Sequence, residues 1–539
     1  LPSAANDTIL APIPPETEEN ITTDAETEPT TEPETIPAEQ TMPAETEPQE
    51  TESVDEMPGM AETLAEVTPV GDFQYTTDEN GVTITRYKGT GTAVEIPALI
   101  EDVPVTRIAA GAFAGNATLQ SIVLPEFLTS IADGTNSSSG AFYNCTALTE
   151  VILPDGLTNL GKYAFYNCTA LEKINIPAGI ETLKGYTFYG CKALTELVFQ
   201  DGLKTIESYA FGSSGIRSLG LSDTVTSVSF SGISSQLTHL RWTAGIPEIK
   251  KYEFQSMTQL ESVVLPEGVT TIADGGNEVW SDGWNSYVDK YGAFRACVKL
   301  QSVELPSTLT RIGAYAFEGC TGLKEVRFAS GLQTVGSYAF SGCSSLESVI
   351  LFDTVTSLGS CAFSNCTNLK NVTLSASIQQ IGSSAFSGCS NLECINLPAG
   401  LKKIGSSAFS NCSALTQIDL PDGLETIEGN AFSGTGITAL ELPDSVTSVS
   451  FSGISSQLKH IRWTAAIPVI NRSQFQEFAN LETVVLPEGV TSIADGGRET
   501  YNDSFNTYVY EYGAFRDSTK LKSVELPSTL TNIGAYAFE

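Results

Sequence analysis

The chain has 539 residues, with 64 Asp and Glu against 28 Lys and Arg and a net charge of −36. A field of that sign argues against nucleic acid and anionic lipid as partners, because both need positive charge to meet them. Hydrophobic residues make up 41%, enough for a large core, yet no run approaches the roughly 18–20 apolar residues a membrane span requires.

Leu1 is not an initiator methionine and no basic-then-apolar leader follows it, so the start reads as processed or trimmed. Residues 1–70 hold 18 of the acids, 11 of the 25 prolines and no Lys or Arg. The first aromatic is Phe73 and the first basic residue is Arg86. Such a Thr/Glu/Pro-rich segment has almost nothing to bury and cannot offset its ordering entropy. Residues 1–70 are therefore expected to be a disordered acidic linker, extended by proline stiffness and like-charge repulsion. The threonines are also compatible with a glycosylated stalk.

The remainder is self-similar. Phe142, Phe165, Phe188 and Phe211 fall 23 apart, and Phe317, Phe340, Phe363, Phe386, Phe409 and Phe432 keep that step. About eighteen such units predict a solenoid instead of separate globular domains. In Leu323-x-x-Val326-x-Phe328 a spacing of two predicts a short strand with one buried face. Leu332, Val335 and Phe340 follow irregularly, as in a chain that turns, runs briefly extended or helical, and returns. Pro-Asp-Gly at Pro154–Gly156 marks the first corner. One unit buries roughly six apolar side chains at about 1.5–3 kcal/mol each, while ordering each residue costs roughly 1.5 kcal/mol. No unit folds alone; stacked units share their buried faces. At about 4.8 Å per strand the array is expected to run on the order of 85 Å.

L-x-x-V/I-x-L-P-x-x-L-x-x-I-G-x-x-A-F-x-x-C, plainest around Leu300–Cys320, resembles the BspA-type leucine-rich repeat. The segment from Phe73 to Phe113 resembles the capping unit of such proteins, with Asn80-Gly81 as its hairpin turn. The resemblance implies a leucine-rich-repeat solenoid: one short strand per repeat, stacked into a parallel sheet, with turns and short helical or extended segments on the other side. It divides the chain into a linker (1–70), a capping hairpin with the first repeat (71–112) and a repeat array (113–539). It further implies secreted or cell-surface proteins, chiefly bacterial, that bind other macromolecules, with no catalytic residue, cofactor or metal to carry over. The array stops within a unit, so a longer parent protein is expected.

A second period of 221 residues separates Phe294 from Phe515 and Phe317 from Phe538. Each long copy contains a compressed unit, with Phe230 following Phe211 by 19, and an insertion that sets Phe294 40 residues after Phe254. A shorter insertion follows Ile131 at the same place in its unit. Insertions at one fixed place project from one side of the stack.

Nine of the eleven cysteines recur in one slot, as at Cys320, Cys343 and Cys366. They read as buried free thiols, with a disulfide framework as the alternative, and without any C-x-x-C pair for metal. Cys394 occupies an outward strand position. His239 and His460 are the only histidines, each beside an outward arginine, Arg241 or Arg462; no nucleophile elbow, phosphate loop or metalloprotease motif accompanies them. Two surfaces remain as binding candidates. One is the outward strand face, where Glu150, Lys173, Glu196, His239, Glu325, Asn371 and Gln417 form one column. Ile152, Val198, Val264, Ile350 and Val485 alternate with Arg241, Arg327, Asp419 and Arg462 in the next. The other is the aromatic insertions, with Trp280, Trp284 and Tyr287 in the first and Tyr501, Phe505 and Tyr508 in the second. The expected protein is a non-catalytic, monomeric extracellular or cell-surface binder of host or neighbouring-cell proteins or glycans. The alternative is the targeting arm of a larger secreted enzyme.

Overall fold

The computed structural model describes residues 68–197, 199–277, 290–472, 474–475, 478–496, 500–502, 507–509, 513–516 and 518–538. The linker expectation for residues 1–67 and the candidates Val198, Trp280, Trp284, Tyr287 and Phe505 lie outside the described residues.

The array opens with a cap. Strands β1 (Phe73–Asp78) and β2 (Gly81–Tyr87) form an antiparallel hairpin in which Asp78 pairs with Gly81. The turn is therefore Glu79-Asn80, one residue earlier than the sequence reading, and Gly81 is the first residue of β2. The Asn80 N–H donates to Asp78 Oδ1 at 2.8 Å, closing an Asx turn. Gly81 has φ +114°, and a Cβ there would meet the Pro104 carbonyl oxygen at 2.7 Å. Strand β3 (Ala93–Glu95) starts the outer ladder, β4 (Leu99–Ile100) pairs antiparallel with β5 (Val103–Ile108), and β5 lies parallel to β2.

From there the chain is a parallel β-solenoid whose turns are joined by three backbone ladders. The first is the predicted one: three-residue strands stacked in register, as Ser262–Val264, Ser302–Glu304 and Glu325–Arg327. Their middle residues Val263, Val303 and Val326 are buried and their outer residues face solvent, the period-2 alternation of a one-sided sheet. The second ladder consists of two-residue strands such as Thr271–Ile272, Arg311–Ile312 and Thr334–Val335. The third runs through the Ala-Phe pair: the Phe317 N–H donates to Ala339 C=O at 2.7 Å, and Phe340 N–H to Ala362 C=O at 2.8 Å. The side opposite the outer strands is thus built of turns and extended steps; among the described residues the only helical segment is the 3-10 turn Val70–Asp72 in the cap.

The core is a stack of rings. Phe294, Phe317, Phe340 and Phe363 lie 4.8, 5.1 and 5.3 Å apart with planes within 5° of parallel. Each ring is fully buried, so each turn covers the apolar face of the next. Beside every ring sits the cysteine slot. Cys343 Sγ donates to Phe317 C=O at 3.3 Å and Cys366 Sγ to Phe340 C=O at 3.2 Å. Where serine takes the slot it donates in the same way, Ser518 Oγ to Phe475 C=O at 3.3 Å; bulky Met257 and Phe478 fill it in other turns. Two left-handed positions bracket most of the Ala-Phe pairs. One falls two residues before the Phe (Tyr338, φ 58°) and one two residues after it (Gly342, φ 74°); the second is mostly Gly or Asn, residues that tolerate this region.

The turn that follows each compressed unit carries a tryptophan in its core. Trp242 and Trp463 are fully buried, and Trp242 meets Phe254 edge-on at 4.9 Å. The indole N–H groups donate to Ile246 C=O at 3.2 Å and Ile467 C=O at 3.1 Å, satisfying the polar atom that burial would otherwise strand.

Candidate binding face of the solenoid

Outward side chains of the three-residue strands stack one above another because the register is unbroken within each sheet. In the five-stranded sheet the rows are Ser218, His239, Ser262, Ser302, Glu325 and Gly220, Arg241, Val264, Glu304, Arg327. The next sheet adds Ser348, Asn371, Cys394 and Ile350, Thr373, Asn396. Ile350 is 59% exposed and Arg327 Nε donates to Glu325 Oε1 at 2.9 Å along the same strand. The mixed charged and aliphatic face expected from sequence is present here. It is not continuous: Glu196, Gln417 and Asp419 lie at turns that form no outer strand, so those three leave the columns. At the N-terminal end Val123 and Ile152 pair across neighbouring strands and both are exposed.

The histidines and arginines separate in role. His239 is exposed, its Nδ1 2.8 Å from Thr238 Oγ1, whereas His460 is half-buried with Nδ1 2.7 Å from Thr483 Oγ1. Desolvation holds the His460 imidazole below its ordinary pKa. Arg241 Nη1 donates to Leu221 C=O at 2.7 Å and to Asp223 Oδ1 at 3.3 Å. Arg462 repeats the pattern with Leu442 C=O at 2.9 Å and Asp444 at 3.0 Å. Each aspartate also accepts a backbone N–H from the following turn, Ala244 at 3.0 Å and Ala465 at 3.1 Å. Both carboxyls are held below their usual range, Asp223 by the Ala244 N–H first and Asp444 by Arg462 first. These arginines brace the shortened turns, which spends most of their donors within the fold.

Both insertions leave after an Ala-Asp pair that replaces the usual glycine. Asp274 Oδ1 accepts Ala314 N–H at 2.8 Å and its other oxygen pairs with Arg311; Asp495 Oδ1 accepts Ala535 N–H at 2.8 Å. The aspartate thus caps the next turn's backbone while the chain departs. Gly276–Asn277 pairs antiparallel with Lys290–Tyr291 at the base of the first insertion. In the second, Thr500–Asn502 pairs with Thr507–Val509, which puts Tyr501 opposite Tyr508.

One cluster was absent from the sequence reading. Tyr163, Tyr186 and Tyr209, each two residues before its Phe, stack at 5.1 and 5.2 Å. Tyr143, Tyr166 and Tyr189, each one residue after, form a second row at 6.0 and 4.9 Å. The rows interlock through Tyr163–Tyr166 at 5.9 Å and Tyr186–Tyr189 at 5.7 Å. Lys162 Nζ lies 5.2 Å from the Tyr163 ring and 5.7 Å from the Tyr186 ring, within cation–π range. The spacing of 23 was there to be read in both tyrosine rows.

The sequence model of the BspA type leucine rich repeat region matches the chain in six copies, over residues 106–233, 224–276, 290–414, 334–452, 379–504 and 504–539. The chain belongs to the BspA-type leucine-rich repeat family. No curated protein matches it. Among solved structures it is similar to a leucine-rich repeat protein from Bacteroides ovatus, at 24% identity over 76% of this chain and 98% of that one, TM-score 0.48. It is also similar to a leucine rich cell surface protein from Faecalibacterium prausnitzii, at 21% identity over 77% and 93%, TM-score 0.26. A third is the pneumococcal vaccine antigen PcpA, at 18% over 70% and 98%, TM-score 0.28. Among the described residues no group of three His, Cys, Asp or Glu side chains is arranged to hold a metal. Among the same residues no helix is long and apolar enough to cross a membrane.

Proposed function

We propose that this BspA-type solenoid is a non-catalytic recognition protein of the cell exterior that binds macromolecules of host or neighbouring cells on its outer strand face. The observation that carries the reading is the in-register row Val264, Glu304, Arg327, with the exposed Ile350 opening the next sheet, so that aliphatic and charged side chains share one outward face. Exposed apolar surface rimmed by charge is the composition of a protein-binding patch. Membership of the BspA-type family supports the extracellular setting. The aromatic insertions are a second contact surface, through Trp280, Trp284 and Tyr287 and through Tyr501, Phe505 and Tyr508.

The test is binding of the chain to immobilised extracellular-matrix proteins, followed by the double variant Arg327→Glu/Ile350→Asp. Both side chains are exposed, so stability should shift by no more than about 0.5 kcal/mol each. Loss of a central contact should weaken binding at least about tenfold, equal to 1.4 kcal/mol. Undiminished binding by the double variant would remove the strand face from the reading, and a parallel quadruple variant with Trp280, Trp284, Tyr501 and Phe505 changed to Ala examines the insertions.

A further inference from the structure

Tyr163, Tyr186 and Tyr209 all adopt left-handed backbone, with φ of 62°, 63° and 61°, a region in which a bulky residue is an outlier. The 221-residue duplication supplies the comparison that shows what the fold itself asks for there. The equivalent positions are Ser384, Ser407 and Asn430, with φ of 55°, 56° and 58°. The companion row Tyr143, Tyr166, Tyr189 becomes Ser364, Ser387, Ser410. The same turns therefore form without a single one of the six rings. The tyrosines are carried at a conformational cost that the backbone does not require, which is the mark of a surface retained for another reason.

The ladder also ends in an open site. After Tyr209 the turn shortens, the next position in its row is Val228, and the next in the companion row is Gly212. Tyr209 is left 41% exposed as the terminal ring. It lies over glycine: a Cβ on Gly232 would meet Tyr209 Cδ1 at 3.0 Å, and one on Gly212 would meet Tyr189 Cδ2 at 2.6 Å. Beside it opens a groove of about 450 Å³ lined among others by Lys162, Tyr186, Glu207, Ser208, Tyr209 and Ser229. Glu207 is fixed in place, Oε2 accepting the Gly185 N–H at 2.8 Å, and Ser208 and Ser229 share a hydrogen bond at 3.2 Å. None of the six phenol hydroxyls hydrogen-bonds to another described residue, so the ladder presents a row of unclaimed donor–acceptors.

We propose that the tyrosine ladder and the groove at its end form a carbohydrate-binding site that takes a linear, neutral glycan. A sugar ring has one face of C–H groups that lies on an exposed aromatic ring and a periphery of hydroxyls that need polar partners. Tyr209 provides the first, and the serines, Glu207 and Lys162 provide the second. The phenols repeat once per turn, close to the repeat of one sugar along an extended chain. A proline-rich peptide fits less well: it needs gaps between aromatic rings, and here the rings fill one another's faces. One lysine against one glutamate gives the groove no net charge to select a polyanion.

The site stands apart from the outer strand face, and the experiment keeps them separate. The whole chain is run by affinity gel electrophoresis through gels containing barley β-glucan, arabinoxylan or galactomannan, with poly-L-proline as the competing probe. The variant Tyr186→Ser/Tyr209→Asn installs the residues of the second copy and so keeps a backbone the protein already builds. Circular dichroism and thermal unfolding check that it folds. Retardation by at least one polysaccharide is expected, at least tenfold weaker in the double variant and unchanged in Arg327→Glu/Ile350→Asp. Three outcomes would overturn the assignment: no retardation by any of the polysaccharides, equal retardation of the double variant, or binding of poly-L-proline that the double variant abolishes.

Discussion

The cysteine ladder makes a quantitative prediction about chemistry that does not happen. All eleven cysteines are free, nine are buried in the slot beside the phenylalanine stack, Cys361 is half-buried and Cys394 is exposed. Burial pushes the Cys191 thiol up to about 12, and it drives Cys343 and Cys412 well above the ordinary range. A thiol reacts as its thiolate. At about pH 8 an unperturbed thiol of pKa about 8.5 is roughly a quarter ionised, whereas one at about 12 is ionised about once in 10⁴. Ionisation alone therefore slows a ladder thiol by on the order of 10³, before steric exclusion is counted. The assay is reaction with Ellman's reagent in native buffer and again in denaturant, with intact mass to count labels. Cys394 should react at the rate of a free thiol and Cys361 more slowly, while the other nine should appear only on unfolding. Three or more fast thiols in the native protein would refute the ladder, as would mass loss showing that the slot cysteines are paired.

Phe340→Ala should cost about 3–5 kcal/mol, because the ring is fully buried between Phe317 and Phe363. Phe538→Ala, at a half-exposed ring, should cost no more than about 1.5 kcal/mol. Hydrogen exchange resolved by turn would detect either loss, and equal losses would contradict the stacked core. Gly336→Ala would place a Cβ 2.5 Å from the Ala314 backbone nitrogen, so soluble yield and thermal midpoint should both fall. The Asp223 and Asp444 carboxyls are depressed in the fold, so their stabilisation is complete above the unfolded value of about 3.9 and is lost as pH falls through the lower folded value. Asp223→Asn/Asp444→Asn should flatten that acid limb in urea midpoints measured against pH.

How much was legible depended on how many residues carried each feature. The ring stack and thiol slot announced themselves because Phe recurs at a fixed step and Cys holds the slot in nine units. The outer strand was readable from the two-residue spacing around Val326. The second ladder was not, since pairs such as Arg311–Ile312 are too short for alternation to show. Sequence placed Arg241 and Arg462 on the outward face correctly, but not their engagement with Asp223 and Asp444 across the shortened turn. Those partners become neighbours only once the turn is folded. Glu196 and Gln417 satisfied the strand pattern locally and still fall where no outer strand forms, so pattern alone overstated the continuity of the face. The tyrosine rows have a clear period, but a tyrosine reads as generic surface when its neighbours are unknown.

The duplication turns this chain into its own control. Where both copies keep an arrangement and the geometry gives it a job, the fold accounts for the retention: in each copy the arginine and buried tryptophan of the turn after the compressed one recur, the arginine reaching back to Asp223 or Asp444 at 3.3 and 3.0 Å. The turn four residues shorter is thus held from the next turn by the arginine, whose neighbouring tryptophan is buried beside it. Where the copies differ at identical backbone, the fold is indifferent and the difference must be read at the surface. Six tyrosines facing five serines and an asparagine is the largest such divergence among the described turns compared above. It changes no buried ring and no slot thiol. What it changes is the chemistry offered to solvent along one flank of the first copy, and that is the quantity on which recognition acts.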